Sequence, residues 1–346
     1  MGRFKRRASR WEFARIAGRL VVAALAGLVI AVGGARLAQA GPGWSVFLPV
    51  VLNGRPPPAS QVKPPTDPSF YITTTDPSDA YNLGCSQGVS DASFSPPVNS
   101  LVVLDVGGQR PDGSGTLLVD GVDASNAQIE AIGEAFAHGY WYCTGTADLT
   151  SVLSLVIGTN NSYYDVSATG GNTWASVVAA IAAADRAAGY DSQVVVDGGN
   201  DLEPGWDSAG NSEAWANGYT AAASTFYVDY GSADGCPMDS AVGAACAGDW
   251  TQHDVWYVSW GAGAARALPE IYVSGNASQW AMLGLYGADY EGSGGEIFFS
   301  GSLDTYPLWT GSNTSEQAWS EFWTDLNGNP ATAQDMPYSA EMYEEP

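Results

Sequence analysis

Eight short apolar segments, spaced along some 200 residues, are the feature that most constrains how this chain can fold. Most are rich in Val, Ile, Tyr or Trp and have no charge inside, which is typical of strands buried on both faces of a parallel sheet. The eight segments are Leu101 to Val106, Gly139 to Cys143, Leu153 to Gly158, Gln193 to Asp197, Thr225 to Tyr230, Val255 to Trp260, Leu268 to Val273, and Glu296 to Ser300.

Several of the intervening stretches have helical periodicity. The clearest is Trp174 to Ala188, which is rich in alanine and is stopped by Gly189, and Ala124 to Ala137 is a second. Residues 212 to 224, 277 to 286 and 315 to 326 are weaker helices. This alternation predicts an α/β fold, a TIM-like (β/α)8 barrel, irregular between strands 2 and 3, where the gap is too short for a regular helix. An open doubly wound sheet is the alternative.

The N-terminal region has the order of a signal peptide. Basic residues up to Arg19 precede an apolar run from Leu20 to Val32, and small residues follow it, with cleavage expected after Ala40. The apolar run is too short to cross a bilayer. We therefore expect four regions: the signal peptide (1–40), a Pro-rich spacer (41–69), the barrel domain (70–329), and an acidic flexible tail (330–346).

Removal of residues 1–40 makes the chain strongly acidic. It leaves 5 Lys and Arg against 36 Asp and Glu, a formal charge of −31. Such a surface repels nucleic acid and anionic lipid at long range, so neither nucleic acid nor, after signal cleavage, a membrane is an expected partner. We expect a secreted or cell-surface protein of a bacterial type, acting as a monomer.

The four cysteines form an even set, as expected for disulfides in an oxidising compartment. Four cysteines allow three pairings. Cys236 and Cys246 are separated by the shortest loop, which makes their bond the easiest to close and leaves Cys85 to pair with Cys143.

Carboxylates stand where predicted strands end, which is where the reactive groups of a barrel lie. Asp201 and Glu203, spaced by two, point to the same side if the backbone is extended, and Asp105 ends an earlier strand. Paired carboxylates can divide acid and base work, because crowding raises the pKa of one while the other stays ionised. Sugar hydrolysis is the reaction that most often uses carboxylates alone.

Aromatic residues near these positions favour a carbohydrate ligand, because aromatic faces stack on the apolar faces of sugar rings. The expected substrate-binding residues are Trp141, Trp206, Tyr230 and Trp260, each at or just past a predicted strand end. With two histidines in the chain and no phosphate-binding glycine loop, we expect neither a metal nor any other cofactor.

Taken together, the acidic end of the first predicted strand (Leu104-Asp105) and the Asp201-Leu202-Glu203 segment resemble the family 25 glycoside hydrolases, which are secreted muramidases. The resemblance is confined to strand ends. It implies a glutamate acid at Glu203, with Asp201 and Asp105 as supporting carboxylates. The sequence thus predicts an exported glycoside hydrolase acting on cell-wall or environmental polysaccharide; the alternative is a non-catalytic barrel for carbohydrate binding or surface interaction.

Overall fold

A computed structural model describes residues 61–145, 148–306, 308–309 and 311–345. The predicted signal peptide and most of the predicted spacer lie outside these residues. The described part contains ten β-strands, which are β1 Thr66–Tyr71, β2 Ser100–Gln109, β3 Gly115–Leu117, β4 Asp123–Ser125, β5 Leu153–Asn160, β6 Val194–Asp201, β7 Tyr227–Asp229, β8 Ala265–Ala267, β9 Gly301–Asp304 and β10 Tyr338–Glu344.

Eight of these strands form a nearly closed parallel barrel. Around the barrel they follow the order β8, β7, β6, β5, β2, β1, β10, β9. Two parallel bridges close the remaining gap between β8 and β9, one from Ala267 to Phe299 and one from Glu270 to Leu303. The predicted TIM-like barrel is therefore confirmed, and the alternative of an open sheet is wrong.

Helices connect the barrel strands and cover the outside of the sheet. They are α1 Pro77–Ala92, α2 Asn126–Thr144, α3 Ala168–Ala188, α4 Ala209–Ala222, α5 Gln252–Trp256, α6 Ser274–Tyr290 and α7 Ser315–Asn327, with a π-helical turn, Tyr257–Gly261, after α5. Serine or threonine side chains cap most helix starts; Ser125, for example, begins α2 in a capping box with Gln128. None of the helices in the described part is long and apolar enough to span a bilayer.

The barrel has a large core outside the sheet and a small one inside it. The outer core lies between the strands and the helices and includes fully buried Trp174, Trp215 and Trp280. The inner core contains Val103, Val156 and other side chains from several barrel strands. This arrangement is the usual one for a parallel barrel, in which the strands are buried on both faces.

Two predicted strands are helical in the structure. Gly139 to Cys143 is the last part of α2, and Val255 to Trp260 lies in α5 and the π-helical turn. Aromatic residues in these segments made them look strand-like, but they pack against neighbouring helices and loops. Trp141, for example, packs on Tyr190, with ring centroids 4.8 Å apart. The helical continuation of α2 also removes the predicted irregularity, because the connection from β2 to β5 contains a regular helix.

The first and last barrel strands lie partly or wholly outside the predicted domain of residues 70–329. β1 begins at Thr66, inside the predicted spacer, and β10 lies within the segment expected to be a loose tail. The two strands pair in parallel register from Thr66 with Ser339 to Tyr71 with Glu344. Ala340 and Met342 of β10 are buried in the inner core, so the tail prediction is wrong.

Both predicted disulfides are confirmed. Cys85 to Cys143 joins α1 to the last turn of α2, and Cys236 to Cys246 closes a loop within the connection from β7 to α5. The first bond therefore lies between two helices outside the barrel, because Gly139 to Cys143 is helical and not a strand.

Candidate active site

Five buried carboxyl groups gather where barrel strands end. Asp105 lies near the end of β2, Asp201 ends β6 and Glu203 follows it, Asp229 ends β7, and Glu270 comes three residues after β8. The carboxyl ends of parallel strands meet at one end of a barrel, and in enzymes with this fold that end carries the reactive groups. We refer to this end as the mouth of the barrel.

Three of the five carboxyl groups form a compact cluster. One oxygen each from Asp201, Glu203 and Glu270 lies within 4.8 Å of the others. Asp201 and Glu270 are 3% and 4% exposed, whereas Glu203 is 8% exposed and is the most accessible of the three. The Glu203 and Glu270 carboxyl groups are thus neighbours, although they come from different strand ends. We call these three residues the acid cluster.

Burial is the main reason that all three groups hold their protons more strongly than usual. It raises the pKa of Glu203, and the neighbouring Glu270 and Ser232 side chains oppose part of this rise. The pKa of Asp201 and that of Glu270 are raised well above their ordinary values, first by burial and then by the neighbouring carboxylates. Crowded carboxyl groups of this kind are suited to proton transfer near neutral pH.

Hydrogen bonds fix the segment that carries Asp201 and Glu203. The backbone NH of Leu202 donates to Asp229 Oδ1 at 3.3 Å. Asn161 clamps the backbone of Glu203 from both sides, since its Oδ1 accepts from the Glu203 NH and its Nδ2 donates to the Glu203 carbonyl, each at 3.3 Å. The position of the Glu203 backbone is thus set by the loops that follow β5 and β7.

Tyrosines line the inside of the barrel next to the cluster. The Tyr272 hydroxyl donates a hydrogen bond to Glu270 Oε1, and Tyr71 contacts Tyr272 through a side-chain hydrogen bond. Tyr230 donates from its hydroxyl to the Thr159 carbonyl at 2.7 Å. Its ring fits because the facing positions are Gly158 and Gly199, where an added Cβ would overlap the inner side chains. The Gly198-Gly199 pair thus lies within β6 and makes room for a ring.

Asp105 lies deeper than the acid cluster. Its Oδ1 accepts from the Gly107 NH at 2.7 Å, Asn160 Nδ2 donates to the same carboxylate at 3.3 Å, and the residue has no exposed surface. Tyr230 lies beside it and opposes part of the burial-driven rise in the pKa of Asp105. Asp105 lies within β2, which is the second strand of the barrel because β1 precedes it. With no exposed surface, Asp105 is less accessible than the three members of the acid cluster and can support the site from within the barrel.

Glu270 was not among the predicted site residues because the strand before it was placed too late in the sequence. A strand from Leu268 to Val273 puts Glu270 near a strand start, at the opposite end of the barrel. In the structure β8 ends at Ala267, and Glu270 follows it. The missed signal was Pro269, because proline lacks the NH that a central strand needs and argues for a strand that ends before it.

The predicted substrate-binding aromatics divide between the two ends of the barrel. Trp206 is about half exposed and follows Glu203 at the mouth, whereas Tyr230 is buried inside the barrel. Trp141, near the end of α2, and Trp260, in the π-helical turn before β8, precede strand starts and so lie at the opposite end. The placement of Trp141 and Trp260 at the mouth is therefore wrong.

The acid cluster also has the composition of a cation site. Carboxylate oxygens are the ligands preferred by Ca²⁺ and Mg²⁺, and three oxygens within 4.8 Å of one another could contact one ion. The expectation that the chain uses no metal stays a prediction, which a chelator can test.

A scan against models of known protein families found no match to this chain, and neither did a search of curated proteins.

Proposed function

We propose that this protein is a glycoside hydrolase whose reaction is carried out by Glu203 and Glu270. The observation that carries the proposal is the close approach of these two carboxyl groups, with oxygens within 4.8 Å of one another, at the mouth of a (β/α)8 barrel. Glycoside hydrolysis needs two carboxyl groups that flank the scissile bond, one to protonate the leaving oxygen and one to act on the sugar carbon. Glu203 follows β6 and Glu270 follows β8, so the two can approach a glycosidic bond from different sides.

In this proposal Glu203 is the general acid. It is the most accessible member of the acid cluster, and burial keeps its pKa above the ordinary value. Glu270 is the second carboxylate. Burial and the neighbouring carboxylates hold the pKa of Glu270 well above its ordinary value, and the hydrogen bond donated by Tyr272 opposes part of this rise. Glu270 therefore acts as the carboxylate on the alkaline side of its raised pKa. Asp201 lies beside both, and its proximity contributes to the raised pKa of Glu270.

The substrate class follows from the surroundings of the pair. Trp206, about half exposed beside Glu203, offers an aromatic face to a sugar ring. The strong negative charge of the chain disfavours polyanions. Secretion of the protein and a cell-wall or environmental polysaccharide as substrate belong to the same proposal. The two disulfides fit an extracytoplasmic location.

The direct test is hydrolysis by residues 41–346 of a panel of polysaccharides that includes peptidoglycan and plant glucans. Glu203→Gln and Glu270→Gln should each lower the rate by roughly 100-fold or more, because each removes one of the two carboxyl groups. Glu291→Gln is the matched control, since Glu291 bonds to Tyr286 and His253 outside the barrel. Turnover that is unchanged in both cluster variants would overturn the proposal.

The same two variants separate the roles. An aryl glycoside with a good leaving group needs little protonation, so Glu203→Gln should retain far more activity on it than on a polysaccharide. Glu270→Gln should be inactive on both. If instead Glu270→Gln retains activity on the aryl glycoside and Glu203→Gln does not, Glu270 is the general acid and Glu203 is the second carboxylate. Binding of a glycan by the unaltered protein without any hydrolysis would favour the alternative of a non-catalytic carbohydrate-binding barrel.

A further inference from the structure

The loop after β9 presents an exposed tryptophan beside the acid cluster. Trp309 is 58% exposed, and its ring meets the ring of Tyr272 edge to face, with centroids 5.5 Å apart. The hydroxyl of Tyr272 in turn donates to Glu270 Oε1. A single tyrosine therefore separates the exposed indole from one carboxyl group of the proposed catalytic pair.

The loop that carries Trp309 is attached to the same segment as Glu270. The backbone NH of Asn313 donates to the Tyr272 carbonyl at 2.7 Å, and its Nδ2 donates to the Ile271 carbonyl at 3.4 Å and to Glu321 Oε2 at 3.0 Å. The backbone NH of Trp309 donates to the Thr305 carbonyl at 3.3 Å. These bonds attach the segment at Asn313 to the segment that carries Glu270, and the contact with Tyr272 places the Trp309 indole beside it.

Trp309 and Trp206 lie on different sides of the proposed catalytic pair. Trp206 is in the turn directly after Glu203, and its NH donates to the Glu203 carbonyl at 3.4 Å. Trp309 reaches the pair from the Glu270 side, and β9 is three strands away from β6 around the barrel. A sugar chain whose scissile bond lies between Glu203 and Glu270 would thus extend toward one tryptophan in each direction.

Charge defines the kind of sugar that suits this position. Among the described residues the cationic side chains are Lys63, Arg110, Arg186 and Arg266. Of these, Arg110 follows β2 on the mouth side and is paired with Asp123. The chain as a whole has a large excess of acidic residues. An anionic sugar would therefore meet repulsion, whereas a neutral pyranose can stack its C–H face on an indole without a charge penalty.

We propose that Trp309, held against Tyr272, forms a binding subsite for a neutral pyranose ring on the Glu270 side of the cleavage point. This inference rests on the proposed function, because the direction of the sugar chain is set by the Glu203 and Glu270 pair. Trp309 does not touch the reacting atoms, so its contribution is to binding and to the choice of substrate.

The test compares Trp309→Ala with Tyr290→Ala. Tyr290 is a matched control, being 57% exposed and packed on Tyr286 with ring centroids 5.5 Å apart, at the end of α6 and so at the opposite end of the barrel. On neutral oligosaccharides long enough to cover both sides of the cleavage point, Trp309→Ala should raise KM by about 3- to 10-fold, the range expected for loss of one aromatic contact. Trp309→Phe should recover part of the affinity, and Tyr290→Ala should leave KM unchanged.

Glycan affinity of the Glu203→Gln variant, measured by calorimetry, gives a second readout that does not need turnover. Combining Glu203→Gln with Trp309→Ala should weaken binding by the same 3- to 10-fold, and polygalacturonate should not compete. If glycans are hydrolysed but Trp309→Ala matches Tyr290→Ala in both readouts, the subsite is wrong and the proposed function stands. If the unaltered protein neither hydrolyses nor binds any glycan, the subsite and the proposed function are both wrong.

Discussion

Tyr272 and Glu270 are joined by a hydrogen bond from the tyrosine hydroxyl to Oε1 of the carboxylate, in the segment that follows β8. Only Ile271 lies between them in the sequence, so a single turn of chain carries both the carboxylate and its donor. The bond lowers the pKa of Glu270 and thus opposes the much larger upward effect of burial. This relationship connects the aromatic wall of the mouth to its acid chemistry.

Tyr272→Phe should therefore change the pH dependence of activity. Without the donated hydrogen bond the pKa of Glu270 rises further, so its carboxylate forms at higher pH and the acidic limb of the rate profile moves up by about one pH unit. The measurement is kcat/KM against pH for the two proteins. Tyr286→Phe is the control. The Tyr286 hydroxyl donates to Glu291 Oε1 at a distance of 2.5 Å, and this pair does not lie at the mouth. Equal profiles for Tyr272→Phe and the unaltered protein would show that this bond does not act on the working carboxylate.

The sequence was sufficient for the barrel, because apolar strands such as β2 and β5 and the alanine-rich α3 have unambiguous patterns. The sequence was insufficient where side-chain packing, and not the local hydrophobic pattern, decides whether a segment is a helix or a strand. Gly139 to Cys143 has strand-like aromatics, but Gly139 is required in a helix, since a Cβ there would overlap the Tyr81 carbonyl of α1. β10 is mostly polar and has little strand signal of its own. Its conformation depends on pairing with β1 and β9, which the local sequence does not reveal.

The candidate site was predictable in part for the same reason. Asp201 and Glu203 follow a strongly apolar strand, so their position at the mouth could be inferred from the sequence. Glu270 follows a strand of three residues, and its contact with Glu203 depends on the closure of the barrel, a long-range property. Trp309 lies in a loop with no periodic pattern, and only its contact with Tyr272 singles it out.

Buried acids at the opposite end of the barrel predict that the protein is more stable in mild acid than at alkaline pH. Burial, and then Asp91, raise the pKa of Asp67 to about 8, although its Oδ2 accepts from the Leu101 NH at 2.9 Å. A carboxyl group whose pKa is higher in the folded state contributes stability that is complete below its unfolded pKa of ~4 and is lost as the pH rises through the folded value. We therefore expect the melting temperature to fall between pH 4 and pH 8.

Asp67→Asn tests the origin of this dependence. The amide oxygen can still accept from Leu101, and the side chain no longer ionises, so the fall in melting temperature between pH 4 and pH 8 should become smaller. Asp120→Asn, at an exposed turn, should keep the slope of the unaltered protein. An Asp67→Asn protein with an unchanged slope would assign the pH dependence to other buried acids, such as Asp229, whose pKa burial raises to about 8.

The two disulfides should contribute unequally to stability. By the loop-entropy model the Cys85 to Cys143 bond, with a separation of 58 residues, contributes about 4 kcal/mol, and the Cys236 to Cys246 bond, with a separation of 10, about 3 kcal/mol. Paired Cys→Ser variants, compared by urea unfolding, should show the larger loss for the first bond. The second bond lies in the β7 to α5 connection, so its loss should also lower activity. Equal activity of the two variants would show that this loop does not shape the mouth.

Chelation should leave the reaction unaffected, because the two glutamates of the proposed pair supply the proton and the carboxylate without an ion. Dialysis against EDTA, followed by assay with and without added Ca²⁺ or Mg²⁺, should give equal rates. A loss of activity that Ca²⁺ or Mg²⁺ restores would instead identify the acid cluster as a cation site, which its oxygen spacing permits.

The spacing of the proposed pair predicts the stereochemical outcome. Glycosidases with carboxyl groups about 5 to 5.5 Å apart retain the anomeric configuration, because the second carboxylate attacks the sugar directly, whereas inverting enzymes leave roughly 6.5 to 9.5 Å for a water molecule. The nearest oxygens of Glu203 and Glu270 are within 4.8 Å, which is closer to the spacing of retaining enzymes than to that of inverting ones. We expect the first product detected by proton NMR to keep the anomeric configuration of the substrate. An inverted product would mean that a carboxylate other than Glu270, at a greater distance from Glu203, activates the water. In that case the Glu270→Gln variant would retain activity.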